Sequence, residues 1–419
     1  MAGRKYVIVG NGVAGVTAAQ SIVQADPAAE VHIFGAEPYP YYQRPRLLEF
    51  LAGEIEVAKL VSRPPEWYAA KGIQVHLGAR VTALDPAEHR LTLADESSVS
   101  YDRLLLATGG RPFVPPFAGI DKSGVFTLRT LDDARAMKVY AGDARNAVVI
   151  GGGLLGLETA RALLSLRLDV TVIEFAPRLL PRQLDVEGAQ VLQARLEALG
   201  LRILTNAATE AILGNERATG VQLKTRPEHS RRDERVVDGE LVLISTGIRS
   251  RVELAQEAGL EMHHGVLVDG QLRTSATDVY AAGDVAEFEG IVYGIIPAAI
   301  EQARVAAANM VSQNGGGVIY SGTVPATTLK VAGIDLACLG DATATGDELV
   351  VLRQVDPATG VYRRLALRDG KIVGAILLGD IRNVQPLKQL IATGRDVSAY
   401  SQQLPDGSLD LKALAQGLP

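Results

Sequence analysis

One short pattern occurs twice in this chain, and it limits the fold more than any other feature. A β-rich apolar run meets a glycine fingerprint, a helix-like stretch follows, and a second β run ends near an acid. In the first copy Tyr6–Val9 leads into Gly10-Asn11-Gly12-Val13-Ala14-Gly15, then a stretch to about Ala25, then Val31-His32-Ile33-Phe34. In the second, Ala147–Ile150 leads into Gly151-Gly152-Gly153-Leu154-Leu155-Gly156, then a stretch to about Leu168, then Val170–Ile173 and Glu174. A lone GxGxxG says little, but between a strand and a helix each glycine has a physical reason. The first permits a tight turn, the second lets the backbone approach a pyrophosphate, and the third lets helix and strand pack closely. The helix N-terminus then offers the phosphates its unpaired N–H groups and the positive end of its dipole. Two copies imply two dinucleotide sites, and the strand–helix alternation implies parallel sheets covered on both faces.

An acid is expected on a ribose hydroxyl roughly 20 residues after the fingerprint. Glu174 holds that place in the second copy, with Phe175 next and no arginine immediately beside it. A carboxylate there repels a 2′-phosphate, so NADH is preferred over NADPH. In the first copy the strand ends Phe34-Gly35-Ala36-Glu37, and Glu37 is the available acid, one position late. Its other reading is a surface residue before Pro38. Between the copies Tyr101–Gly109 is an apolar strand stopped by glycine, and Leu241–Gly247 repeats it. Both read as points where the chain passes from one domain to another. Asp278–Asp284 is a third such strand, ending Gly283-Asp284, and a helix-like stretch Ile300–Met310 follows. Asp284 can accept hydrogen bonds from a polyol such as a ribityl chain, or simply cap the strand.

From about Val324 the pattern changes. Leu349–Val355, Val361–Leu367 and Ile372–Leu378 read as antiparallel strands, with turns at Asp356–Gly360 and Arg368–Lys371 and one helix at about Val384–Thr393. Arg226–Arg235, dense in both charge signs, reads as a solvated hairpin tip. The 419 residues suit two or three domains. Aromatic residues at 5% and a net charge of −6 argue against nucleic acid or an anionic membrane as partner. No signal peptide precedes the first strand, no apolar run reaches ~18 residues, and Asp406–Pro419 makes a poor anchor, so the expected location is the cytoplasm. The single cysteine, Cys338, excludes an intrachain disulfide, a redox dithiol and a cysteine-ligated cluster. His263–His264 reads as loop surface, and no metal site is expected.

The segments GNGVAG, YDRLLLATGGRP, LRTLDDA, GGGLLGLE, the LISTG strand and TSATDVYAAGD follow one another over about residues 5–310. In that order they resemble the pyridine-nucleotide-dependent flavoprotein reductases of glutathione-reductase-like fold. Tyr42–Leu47 (YQRPRL) and Val172–Pro177 (VIEFAP) are most similar to NADH:rubredoxin reductases and to the flavin half of NADH-dependent assimilatory nitrite reductases. Thr328–Asp335 is similar to the start of their C-terminal domain. The resemblance implies an α/β architecture: two Rossmann-type dinucleotide-binding domains, for FAD and NAD, plus a C-terminal α+β domain. The implied division is 1–112 with 248–320 for FAD, 113–247 for NAD and 321–419 for the C-terminal domain, which either pairs subunits into a homodimer or shapes an acceptor site.

It also implies roles at matching positions. Gly10, Gly12, Val13, Ala14 and Gly15 carry the FAD pyrophosphate, with Glu37 near the adenosine ribose. Arg44 and Pro45 lie along the flavin, Arg80 and Val81 near the adenine. Ala107, Thr108 and Gly109 border the cofactor and Arg129 contacts it. Gly283 and Asp284 hold the ribityl chain, with Pro297 and Gln302 near the ring. For NADH the residues are Gly151, Gly153, Leu154, Leu155, Gly156, Glu158, Glu174 and Gly247, with Glu158 positioning the nicotinamide. Two departures stand out: Ala36 occupies the usual place of the ribose-binding acid, and Glu49 replaces a lysine of the aromatic-dioxygenase ferredoxin reductases.

Hydride passage from nicotinamide to flavin needs stacking and short distance rather than an acid–base pair. Disulfide reductases of this fold need a cysteine pair after the first repeat, and peroxidases and water-forming oxidases need one cysteine. Residues 1–337 contain none. The electrons therefore go directly to an outside acceptor. The expected partner is a small iron-containing electron-transfer protein, a rubredoxin or ferredoxin. One rival is a stand-alone NADH-oxidising flavin subunit whose nitrite-reducing metal centres lie on a separate chain. Another is an NADH-binding redox sensor like apoptosis-inducing factor.

Overall fold

The structure, a computed structural model, describes residues 3–224, 235–312, 317–323, 326–331, 333–356, 359–400, 403 and 410–416. The expected hairpin tip at Arg226–Arg235, apart from Arg235, lies outside the described residues. So do the middle of the 356–360 turn and residues 406–409 and 417–419. The chain divides into two compact units, one of residues 1–46, 55–112 and 248–323, the other of residues 47–54, 113–247 and 324–419.

The first unit is built on five parallel strands in the spatial order Val279–Ala281, Arg103–Leu106, Lys5–Val9, Glu30–Gly35, Ile73–Leu77. Alternate side chains of the central strand enter two cores. Tyr6 and Ile8 meet the helices Val13–Ala25 and Ile296–Val311. Val7 and Val9 meet Leu84, Leu91 and Tyr101, which belong to a meander of Val81–Asp85, Arg90–Leu93 and Ser98–Ser100 and the residue after it. The two helices lie against each other through Ala14, Ala18 and Ala19 on one and Ala299, Ala303 and Ala306 on the other. Side chains this small let the backbones approach closely.

The second unit repeats the plan with parallel strands in the order Arg202–Leu204, Asp169–Ile173, Asn146–Ile150, Leu241–Ile244, Val125–Phe126. It also holds an antiparallel sheet ordered Ala326–Val331, Ile334–Gly340, Lys371–Leu378, Val361–Arg368, Leu349–Asp356. Leu387 and Leu390 of the helix Val384–Thr393 pack on Leu339, Leu365 and Leu377 of that sheet. The helix stops at Gly394, whose φ of 58° is the left-handed cap that glycine tolerates. The segment 47–54 belongs here because Lys138 of the helix Leu131–Ala141 donates to the Phe50 carbonyl at 3.0 Å and stands over the Phe50 ring.

Several expected elements have different bounds. The strand at Tyr101–Gly109 is only Arg103–Leu106 long, because the chain turns at Ala107 beneath the fingerprint, with Gly109 at φ 71°. The helix placed at Ile300–Met310 begins four residues earlier, at Ile296. Pro297 sits in that first turn, where a missing N–H has no intrahelical partner to lose.

Candidate functional site

The first fingerprint folds into a cradle that only glycine allows. Gly10 has φ 123°, and a Cβ there would run into the Ala107 carbonyl. A Cβ on Gly15 would run into the Gly10 carbonyl and come within 3.2 Å of Ile8 Cγ2. Gly12 caps the helix Val13–Ala25 without a side-chain hydrogen bond, leaving its first N–H groups open. Arg44 lies over this turn, in the one-turn helix Arg44–Arg46 with Pro45, and its Nη1 is 3.4 Å from where a Gly12 Cβ would be. Its Nη2 donates to Glu37 Oε1 at 2.7 Å, and the Tyr42 hydroxyl donates to Glu37 Oε2 at 2.5 Å. Burial alone would lower the Arg44 pKa, but Tyr42, Glu37 and Asp284 raise it on balance, so the guanidinium stays charged.

Three buried donors around this turn have no partner among the described residues: Arg44 Nε, Asn11 Nδ2 and Gln302 Nε2. Asn11 is held by Tyr68, 1% exposed, whose hydroxyl donates to Asn11 Oδ1 at 3.0 Å. Gln302 Oε1 accepts from the Gly283 N–H at 2.8 Å, and Gly283 lies against Ala14 and Ala299. The Asp284 carbonyl accepts from Ser250 Oγ at 2.7 Å, and the Thr108 hydroxyl donates to the Arg251 carbonyl at 2.8 Å. A cationic guanidinium, open helix N–H groups and orphaned donors fit an anionic, oxygen-rich ligand such as a dinucleotide pyrophosphate.

The structure thus gathers Gly10, Gly12, Val13, Ala14, Gly15, Glu37, Arg44, Ala107, Gly283 and Gln302 on one cradle. Pro297 is exposed in the first turn of the helix that carries Gln302. Arg80 and Val81 begin the meander, opposite Ala94 and Leu93, and no described contact joins them to the fingerprint. Arg129 belongs to the second unit, where its N–H donates to Asp133 Oδ2 beside the Thr130 cap of the helix Leu131–Ala141. Tyr42, Asn11 and Tyr68 have roles that sequence reasoning missed. Tyr68 is 57 residues from Asn11, and no local signal could have paired them.

The second fingerprint closes in the same way. Gly151 has φ 121°, and a Cβ there would run into the Ser245 carbonyl. A Cβ on Gly156 would run into the Gly151 carbonyl. Gly153 caps the helix Leu154–Ser165 with no side-chain bond and with nothing within 4 Å of a Cβ built on it. Gly247, at φ 110°, is equally open. Glu174 Oε2 accepts from the Gly152 N–H and Oε1 from the Ala176 N–H, both at 2.6 Å, which fixes the carboxylate on the fingerprint. Leu155 and Phe175 are 40% and 67% exposed beside it. Glu158 lies one turn into the helix, and burial pushes its carboxyl up to about 7 against the opposing pull of Arg161. This open, uncapped turn also fits a dinucleotide.

Elsewhere the chemistry is sparse. His263 and His264 are exposed in a loop, with His263 Nδ1 3.2 Å from Glu287. Among the described residues no cluster of metal-ligating side chains occurs, and no helix is long and apolar enough to cross a membrane. Cys338 is buried, its Sγ donates to the Gln183 carbonyl at 3.3 Å, and burial pushes the thiol up to about 12. That thiol is not a thiolate at neutral pH.

Comparison with known proteins gives the family. Residues 325–395 match the rubredoxin NAD+ reductase C-terminal domain. The chain is 36% identical over 404 residues to a nitrite reductase [NAD(P)H] of Bacillus subtilis (strain 168), covering 96% of this chain but 49% of that protein. It thus spans about half the length of the curated relatives it matches first. It is 32% identical to the ferredoxin–NAD(+) reductase component of the biphenyl dioxygenase system of Paraburkholderia xenovorans (strain LB400), covering 98% of both. Its fold superposes on the reductase of the covalent putidaredoxin reductase–putidaredoxin complex with a TM-score of 0.87 at 26% identity, covering 100% of this chain and 99% of that one. With residues 4–309 matching that family as well, the chain belongs to the pyridine nucleotide-disulphide oxidoreductases.

Proposed function

We propose that the protein is an FAD-dependent NADH oxidoreductase that delivers electrons to a separate iron-containing carrier protein of the rubredoxin or ferredoxin kind. The observation that carries this reading is the presence of two open glycine cradles in a chain with no cysteine before Cys338. When bound, NADH supplies a hydride and FAD accepts it, converting a two-electron donor into a source of single electrons. The balance is one NADH and two oxidised carriers to one NAD+, one proton and two reduced carriers.

The chain's own residues do the holding. Residues 1–112 and 248–320 form the FAD-binding domain, 113–247 the NAD-binding domain and 321–419 the C-terminal domain. Arg44 and the N–H groups of the helix Val13–Ala25 face the FAD pyrophosphate. Glu37, shared by Arg44 and Tyr42, keeps free lone pairs for a ribose hydroxyl. Asp284 and Gly283 take the ribityl chain, with Ala107, Thr108, Gly109, Arg129, Arg80, Val81, Pro45, Pro297 and Gln302 around the cofactor. Gly151, Gly153, Leu154, Leu155, Gly156 and Gly247 border NADH, Glu174 accepts from its ribose, and Glu158 positions its nicotinamide. The cytoplasm supplies such a donor. The similarity to nitrite reductases favours a second reading, a flavin subunit serving metal centres on another chain.

Anaerobic titration of the purified protein with NADH tests the core of this. Bleaching of the flavin band near one NADH per flavin is the expected result. A bound flavin that neither NADH nor NADPH reduces would overturn it and leave the sensor reading in front.

A further inference from the structure

A glutamine amide turned over keeps its shape and exchanges its donor for its acceptor. In the first cradle the difference matters. Gln302 is 1% exposed, and its Oε1 accepts from the Gly283 N–H at 2.8 Å. Gly283 in turn lies against Ala14 of the fingerprint. The Gln302 Nε2 is buried and has no hydrogen-bond partner among the described residues. A donor in that position is of use to a ligand only while the amide stays this way round.

A chain of hydroxyls stands behind the amide. The Thr323 hydroxyl donates to Glu301 Oε2 at 2.5 Å and lies 2.7 Å from the Tyr320 hydroxyl. A hydroxyl has one proton, and a carboxylate only accepts. Thr323 therefore accepts from Tyr320, and the Tyr320 oxygen is left with lone pairs alone. Both residues are fixed. The Thr323 N–H donates to the Tyr293 hydroxyl at 3.3 Å, and the Tyr320 ring stands edge-on to Phe288 and Tyr293, with centroids 5.0 and 6.0 Å away. Burial pushes the Tyr320 hydroxyl up to about 12, against the opposing pull of Thr323 and of the Gln302 amide, which is within its reach. Glu301 is exposed, whereas Thr323, Tyr320 and Gln302 are buried, so the chain runs inward from the surface to the cradle.

We propose that Glu301, Thr323 and Tyr320 are positioning residues that lock the Gln302 amide with Oε1 on Gly283 and Nε2 as a donor for the bound flavin. The inference rests on the reductase reading above and names what orients one of its cofactor contacts. The Gly283 N–H selects the amide oxygen on one side, and the Tyr320 lone pairs select the NH2 on the other. The reversed amide would set NH2 against N–H and oxygen against oxygen. A donor held in place before reduction stabilises the negative charge that the flavin gains, at no cost in reorganisation. The lock therefore raises the flavin reduction potential.

The test measures the flavin reduction potential of the holoenzyme by anaerobic equilibration with a reference dye, with dithionite as the reductant, so that NADH plays no part. Tyr320→Phe keeps the ring and removes the lone pairs. Thr323→Val removes the hydroxyl that orients Tyr320, and Glu301→Leu frees the Thr323 proton to turn toward Tyr320. Tyr320→Phe and Thr323→Val should each shift the dye equilibrium on the order of tenfold toward oxidised flavin, about 30 mV for a two-electron couple. Glu301→Leu should shift it in the same direction, and Thr323→Ser, which keeps the hydroxyl, should match the wild type. An unchanged potential in Tyr320→Phe overturns the proposal, and so does a shift in Thr323→Ser as large as that in Thr323→Val. A Tyr320→Phe protein that cannot be loaded with flavin also overturns it, because the hydroxyl would then hold the site together rather than orient the amide. Failure of the reductase reading looks different: the wild-type flavin would equilibrate with dithionite and the dye but would not bleach with NADH.

Discussion

Glu174 already accepts two backbone hydrogen bonds, from Gly152 and Ala176, so its carboxylate is oriented before any ligand arrives. It therefore does two things: it shapes the fingerprint turn and it places negative charge where a 2′-phosphate would sit. Glu174→Ala removes both, and the preference for NADH over NADPH in kcat/KM should fall by about 1–3 kcal/mol, the size of a hydrogen bond to a charged group. Unchanged selectivity in steady-state kinetics would sink the assignment. Glu158 adds a pH dependence. Burial raises its carboxyl from 4.5 to about 7. Below 4.5 the group is neutral in both folded and unfolded chains, and its contribution to stability is fully present. Between 4.5 and 7 the unfolded chain ionises while the folded one resists, so stability falls as pH rises through that window. Glu158→Gln should flatten this slope in denaturant titrations of the protein, and should flatten the change in KM for NADH over the same range. A slope that persists in the variant would place the titration on another group.

At the scale of elements, both βαβ units were legible because glycine, strand and helix depend on local geometry alone. Gly10 and Gly151 sit at φ 123° and 121°, and Gly15 and Gly156 face a carbonyl with no room for a methyl. The last three C-terminal strands were legible for the same reason, alternation and turns fixing them to within a residue or two, whereas Ala326–Val331 and Ile334–Gly340 were not read as strands. What stayed hidden depends on partners far along the chain. The meander Val81–Ser100 is held by Leu84 and Leu91 packing on Val7 and Val9, which no short window contains. The first turn of the helix Ile296–Val311, which carries Pro297, was missed. In the site, the bond of Tyr42 to Glu37 and the hold of Tyr68 on Asn11 were unreadable, since neither spacing has a local meaning. The two fingerprints also separate experimentally. Gly15→Ala should yield protein that purifies without flavin, because the methyl collides with the Gly10 carbonyl. Gly156→Ala should keep its flavin colour yet resist bleaching by NADH. Full NADH bleaching in Gly156→Ala would mean that the second cradle is not the donor site.

Across the larger unit, a single carboxylate gathers several of the contacts that tie the C-terminal sheet to the second βαβ region. Asp185 caps the helix Val186–Ala198 through the Gly188 N–H, and its Oδ2 accepts from the Tyr362 hydroxyl at 2.6 Å. The same oxygen is 3.4 Å from Arg364 Nε and 3.6 Å from Arg353 Nε. Arg364 is 2% exposed, and its other nitrogens donate to the carbonyls of Ala342 and Ala344. Burial and the neighbouring carboxylate push the Tyr362 hydroxyl well above its ordinary range, so it remains a donor at any physiological pH. Three terms compete in this cluster, and two variants separate them. Asparagine caps a helix as well as aspartate does, so Asp185→Asn keeps the cap but replaces the Oδ2 acceptor of Tyr362 with an amide NH2 and leaves a buried guanidinium without its counter-ion, which should cost about 3–5 kcal/mol. Tyr362→Phe removes a single neutral donor and leaves the ion pair, which should cost on the order of 1 kcal/mol. Denaturant unfolding of the holoenzyme reads both. If the charge ties the sheet down, Asp185→Asn is the more damaging by a wide margin, and limited proteolysis should then release fragments from the region after Val324. Equal losses in the two variants would mean that the Tyr362 hydroxyl, not the Arg364 charge, holds the sheet in place.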